Sequence, residues 1–111
     1  MRAYQQLYIN GQWVDSTGTG TLSVTDSATE ETIATVPDGT AVDVDAAVAA
    51  ARAAFPGWSS LDKQERAAFL MKIHDGLEAR AGEIAETISR EVGMPLTLSN
   101  IIQAGLPRAN F

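Results

Sequence analysis

The chain is predicted to belong to the α/β class, with two N-terminal β-hairpins followed by a helical unit. Three observations predict this. An Asn10-Gly11 pair sits between two short apolar stretches, a second pair of strand-like segments follows it, and from Thr40 onward the apolar spacing changes from two to three and four. A chain of 111 residues is long enough for one small domain and too short for two.

In the first hairpin, Tyr8-Ile9 and Trp13-Val14 flank Asn10-Gly11. Asn-Gly accepts the positive φ values that a type I′ turn demands. Leu7, Ile9 and Trp13 share a parity and are expected on one face. Ser16 to Thr21 is a polar connector, and its Gly18-x-Gly20 is read as a turn. A phosphate loop would need a third glycine and a following helix N-terminus. Strands over Leu22 to Thr25 and Thr32 to Val36 form the second hairpin, around a polar turn from Asp26 to Glu31. Pro37-Asp38-Gly39 ends it, so hairpins occupy residues 4–37 and helices residues 40–95.

Thr40 and Asp43 stand in capping-box spacing. Val44, Ala47, Val48, Ala51 and Phe55 then share a helical face, and Pro56-Gly57 is expected to close the helix. Asp62 and Glu65 repeat the capping pattern. Ala67, Leu70, Met71, His74 and Leu77 form the next stripe, with a break near Arg80-Ala81-Gly82. Ile84, Ile88 and Val92 continue to Gly93-Met94-Pro95, a C-cap glycine before proline. Leu98, Ile101 and Ile102 open a further apolar face over residues 96–111. Gly105 and Pro107 weaken it, and no capping signal precedes Phe111, so the last helix reads as truncated.

Charge and composition exclude several functions. The net charge is −6, and no Lys or Arg occurs between Ala3 and Ala51, where seven acids fall. Nucleic-acid binding needs a basic stripe, so none is expected. There are no cysteines, hence no disulfide, thiolate metal site or cysteine nucleophile. No apolar run approaches a membrane span and no signal-peptide core follows Met1, which makes the cytoplasm the expected compartment. His74 is the only histidine. It lies on an apolar stripe and is read as a packing residue. Glu30-Glu31 and Glu83 with Glu86 are read as turn and solvated-face acids, and Trp13 and Trp58 as core or interface aromatics. The residues alone place no catalytic or cofactor site in the chain.

Five motifs in order resemble the N-terminal segment of the aldehyde dehydrogenase superfamily. Ile9-Asn10-Gly11-Gln12-Trp13 is similar to its opening hairpin, and Asp26-Ser27-Ala28-Thr29-Glu30-Glu31 partly matches its Asn-Pro-x-Thr-Gly-Glu turn. Asp43-Val44-Asp45-Ala46-Ala47-Val48, with Ala51, Ala54-Phe55 and Trp58, is similar to its first helix. Glu65-Arg66 and Leu70 match the next, and Glu91-Val92-Gly93-Met94-Pro95 matches Glu-x-Gly-Lys-Pro apart from the lysine. Ser27 stands at the turn proline and Glu30 at the turn glycine.

The resemblance implies an NAD(P)-dependent oxidation of an aldehyde to a carboxylic acid. Its cysteine nucleophile, its Asn and Glu and its cofactor loop would all lie later in a longer chain. It implies strands and helices that buttress a Rossmann-like nucleotide-binding domain as part of an incomplete domain. The partners implied are the rest of the dehydrogenase chain and further copies in a homo-oligomer. It also implies a K+ or Na+ ion on Val24, Thr25 and Glu91. The alternative is a stand-alone acidic protein-interaction module.

Overall fold

The computed structural model describes residues 2–111, which divide into two compact units. The first holds residues up to Thr25 and Glu31–Ser60, and the second holds Asp26–Glu30 and Leu61–Phe111.

In the first unit, β1 (Arg2–Ala3), β4 (Thr21–Thr25) and β5 (Thr32–Pro37) form a sheet in the order β1-β5-β4. β4 pairs antiparallel with β5, with an irregularity between Val24 and Thr25. β1 pairs parallel with β5, an element the alternation of so short a stretch does not reveal. Two strands flank β5, and its residues from Ile33 to Pro37 are all half-buried.

β2 (Gln6–Ile9) and β3 (Gln12–Asp15) form the Asn-Gly hairpin. Asn10 and Gly11 have φ of 53° and 75°, as the two-residue turn requires. The turn also corrects the parity reading. It sets Tyr8 opposite Trp13 and Leu7 opposite Val14, so odd positions before the turn face even positions after it. Leu7, Ile9 and Val14 are half-buried, whereas Trp13 is 64% exposed and meets the Tyr8 ring at 5.1 Å.

α1 runs Ala41–Ser60 and so passes through Pro56 and Gly57, where the sequence predicts its end. Proline removes one main-chain donor. One further turn still forms, and Ser59 Oγ and Ser60 Oγ donate to the carbonyls of Pro56 and Gly57 at 3.2 and 2.9 Å. The predicted apolar face lies open: Val44, Val48 and Phe55 are all exposed.

The second unit contains α2 (Lys63–Ala79), α3 (Ala81–Val92), α4 (Leu96–Leu98), a π-helical turn (Ser99–Gln103) and α5 (Gly105–Asn110). The Asp62–Glu65 capping box forms in full, with both reciprocal bonds. Arg80 marks the break between α2 and α3, and Gly93 ends α3 at φ 70°, as expected. The residues after Pro95 stay helical because Pro107 falls in the first turn of α5, where a missing N–H costs nothing. Ala85, Ser99 and Ala104 are buried, while Leu70, Met71, Val92 and Ile101 are exposed. No helix of the described residues is long and apolar enough to cross a membrane.

Candidate functional site

Asp43 is the one buried residue among the described residues of the first unit, only 6% exposed. Its Oδ2 accepts from Ser16 Oγ at 2.6 Å and from the Thr40 amide at 2.9 Å, and its Oδ1 accepts from the Thr17 amide at 2.9 Å. The Asp43 amide donates back to Thr40 Oγ1 at 3.3 Å, which completes the capping box read from the sequence. These donors, led by the Ser16 hydroxyl, hold the carboxyl far below its ordinary range. Such a group is ionised at neutral pH, and three of its lone pairs already accept from protein donors. Its chemistry is to pin the connector after β3 to the N-terminus of α1.

Glycines make that connector possible. A Cβ on Gly18 would lie 2.7 Å from Thr40 Cγ2, and one on Gly20 would lie 3.1 Å from Asp38 Cβ. Gly18-x-Gly20 is thus a close-packed turn. The capping spacing revealed Thr40, but nothing local revealed Ser16 and Thr17, which lie 27 and 26 residues from Asp43.

In the second unit, the turn Asp26–Glu30 packs on the end of α3. Asp26 Oδ1 accepts from the amides of Ala28 and Thr29 at 2.9 and 3.2 Å, and Oδ2 accepts from Arg90 Nε at 3.2 Å. The Ala28 amide, then Arg90, then the Thr29 amide lower the Asp26 pKa. Ser27 donates its amide to the Arg90 carbonyl at 2.8 Å and its hydroxyl to the Glu91 carbonyl. A proline here would have neither donor. Glu30 has φ 61°, the left-handed conformation expected where the family motif has glycine.

The other candidate residues belong to separate elements. Val24 and Thr25 end β4 in the first unit, and Glu91 lies near the end of α3 in the second. His74 Nδ1 pairs with Asp75 at 3.1 Å. Glu83 pairs with Arg80 at 3.0 Å on the helix surface. Trp13 and Trp58 are both exposed. Among the described residues no group of three or more His, Asp or Glu could hold a metal ion. The first unit has an open groove of about 310 Å³ between Tyr8–Gly11 and the methyl groups of Ala47, Ala50, Ala51 and Ala54. It contains no acid–base pair.

In each unit an acid thus holds a loop to a helix end, Asp43 at α1 and Asp26 at α3, while the helix faces stay open. The chain matches the aldehyde dehydrogenase family model over residues 13–105 and belongs to that family. It is 40% identical over 107 residues to a 3-succinoylsemialdehyde-pyridine dehydrogenase of a Pseudomonas species, covering 96% of this chain and 21% of that one.

Among solved structures it is similar to lactaldehyde dehydrogenase from Escherichia coli, with a TM-score of 0.92 and 35% identity. That match covers 98% of this chain and 23% of the other. Aldehyde dehydrogenase C from Pseudomonas syringae, complexed with NAD+ and octanal, gives a TM-score of 0.89 and 41% identity. It covers 92% of this chain and 21% of that one. The chain thus spans about a fifth of the length of the relatives it matches, and it corresponds to the N-terminal part of their fold.

Proposed function

We propose that this chain is the scaffold segment of a longer NAD(P)-dependent dehydrogenase that oxidises an aldehyde to a carboxylic acid. The observation that carries this reading is the match over 96% of this chain to only 21% of a relative's length. NAD+ comes from the complex with the Pseudomonas syringae enzyme, and the choice between NAD+ and NADP+ lies in residues beyond these. The chain has no cysteine, so the thiolate that would add to the carbonyl must come from later residues.

On this reading the strands and helices buttress the nucleotide-binding domain. The exposed faces of α1 and α2 are covered by the rest of the chain in a cytoplasmic homo-oligomer. The 111 residues alone neither bind NAD+ nor oxidise aldehydes. Isothermal titration of the chain with NAD+ should give no heat, and an aldehyde assay should give no NADH. Micromolar NAD+ affinity would overturn the reading and favour an independent module.

A monovalent cation belongs to the same proposal. The carbonyls of Val24 and Thr25 and the Glu91 carboxylate are hard oxygen donors, the chemistry that K+ or Na+ prefers. The full-length enzyme should melt at a higher temperature in K+ or Na+ than in a bulky organic cation at equal ionic strength, because a ligand of the native state stabilises it by mass action. Glu91→Ala should remove that difference. An unchanged ion preference would exclude Glu91.

A further inference from the structure

The tip of the first hairpin has a chemistry of its own. Asn10 and Gly11 are both exposed, and their φ values of 53° and 75° turn the chain in two residues. A Cβ at Gly11 would meet nothing within 4 Å, so nothing beyond the neighbouring residues crowds the turn at that position. Among the described residues, the Asn10 side chain and the Gly11 amide have no hydrogen-bond partner. The chain has two other asparagines. Asn100 precedes a branched isoleucine in the π-helical turn and donates its side-chain amide to the Leu96 carbonyl at 2.9 Å. Asn110 precedes Phe111, so neither is followed by a glycine.

We propose that Asn10 is a site of spontaneous deamidation, which produces an isoaspartyl link in the turn of the β2–β3 hairpin. The Gly11 amide nitrogen attacks Asn10 Cγ. A Cγ–N bond forms, the Cγ–Nδ2 bond breaks, and the amide proton leaves with the nitrogen as ammonia. Water then opens the resulting succinimide. Cleavage of the new Cγ–N bond leaves an ordinary aspartate in place of the asparagine, and cleavage at the original main-chain carbonyl gives the isoaspartyl form. No oxidant or cofactor is required.

The two products have different effects. The aspartate adds one negative charge to a chain already at −6. The isoaspartyl form also adds a main-chain methylene to a turn that tolerates only two residues. It therefore acts on the register that pairs Tyr8 with Trp13 and Leu7 with Val14.

The test uses the full-length protein, aged at mildly alkaline pH in ¹⁸O-water and digested with trypsin. No Lys or Arg lies between Arg2 and Arg52, so one peptide carries Asn10 as its only asparagine. That peptide should gain about one mass unit plus the ¹⁸O label. It should do so at least about tenfold faster than the peptide with Asn100, a barrier difference of about 1.4 kcal/mol. Electron-transfer fragmentation should locate the isoaspartyl link at residue 10, and hydroxylamine should cleave aged protein between residues 10 and 11.

Freshly prepared Asn10→Asp supplies the charge without the methylene, and a protein-isoaspartyl methyltransferase should methylate aged wild type but not this unaged variant. Equal rates at Asn10 and Asn100, or a product the methyltransferase ignores, would overturn the proposal. The readout is chemical, so a folding defect in the variant leaves it intact.

Discussion

Two aspartates, one in each unit, do the same task with different partners, one at the N-terminus of a helix and the other at the C-terminus of another. Asp43 sits at the N-terminus of α1 and binds neutral donors, the Thr40 and Thr17 amides and the Ser16 hydroxyl. Asp26 lies beside the C-terminus of α3 and binds Arg90 together with two amides of its own turn. A helix N-terminus presents unpaired N–H groups and a positive dipole end, so a carboxylate is welcome there without a counter-ion. A C-terminus presents carbonyls, which a carboxylate cannot bind. The turn solves this by assigning donation to Ser27 and charge compensation to Arg90. Helix polarity thus accounts for the cation beside Asp26 and for its absence among the donors to Asp43.

Asp43→Ala should give the largest fall in melting temperature of the full-length protein, because two amides and a hydroxyl lose their acceptor together. If it matches a surface substitution, the connector is held by something else.

Acid sharpens the same point. Both carboxyls titrate below their ordinary 3.8 in the folded chain. The unfolded state thus binds more protons as pH falls through that value, and stability drops. Their contribution is complete above the ordinary value and is lost as pH falls through the lowered folded ones, Asp43 last. Melting temperature followed from about pH 6 down to the acid limit should fall less steeply in Asp43→Asn than in wild type. Salt separates the two acids. The Asp26–Arg90 pair, with Arg90 about half exposed, should weaken as salt screens it, whereas the neutral donors on Asp43 should not.

Smaller effects are expected in the Asp26–Glu30 turn. Ser27→Pro would restore the family residue and yet remove both Ser27 donors to α3, for a loss of about 1–2 kcal/mol. A denaturant midpoint that rises instead would show that the turn re-forms around proline. Glu30→Gly should stabilise by about 1 kcal/mol, since glycine reaches φ of 61° without a Cβ clash. A lower midpoint would mean that Glu30 makes an interaction worth more than its strain.

Sequence by itself determined the local devices. The Asn-Gly turn, both capping boxes, the Arg80 break and the Gly93 terminus depend on residues within a few positions of each other, where stereochemistry leaves few alternatives. The family was legible for a similar reason, since five motifs in order are read directly from the chain. Tertiary structure alone decided the rest. The parallel pairing of β1 on β5 joins residues 32 apart in sequence, and the inverted parity of Trp13 follows from pairing across the turn. Ser16 and Thr17 reach Asp43 only once the chain has closed a loop, and Ser27 reaches Glu91 across 64 residues. Helical periodicity located the apolar faces of α1 and α2 but assumed they were covered. Periodicity records which side chains share a face, whereas burial depends on a neighbour, and the exposed Val44, Val48, Phe55, Leu70 and Met71 have none large enough to cover them among the described residues.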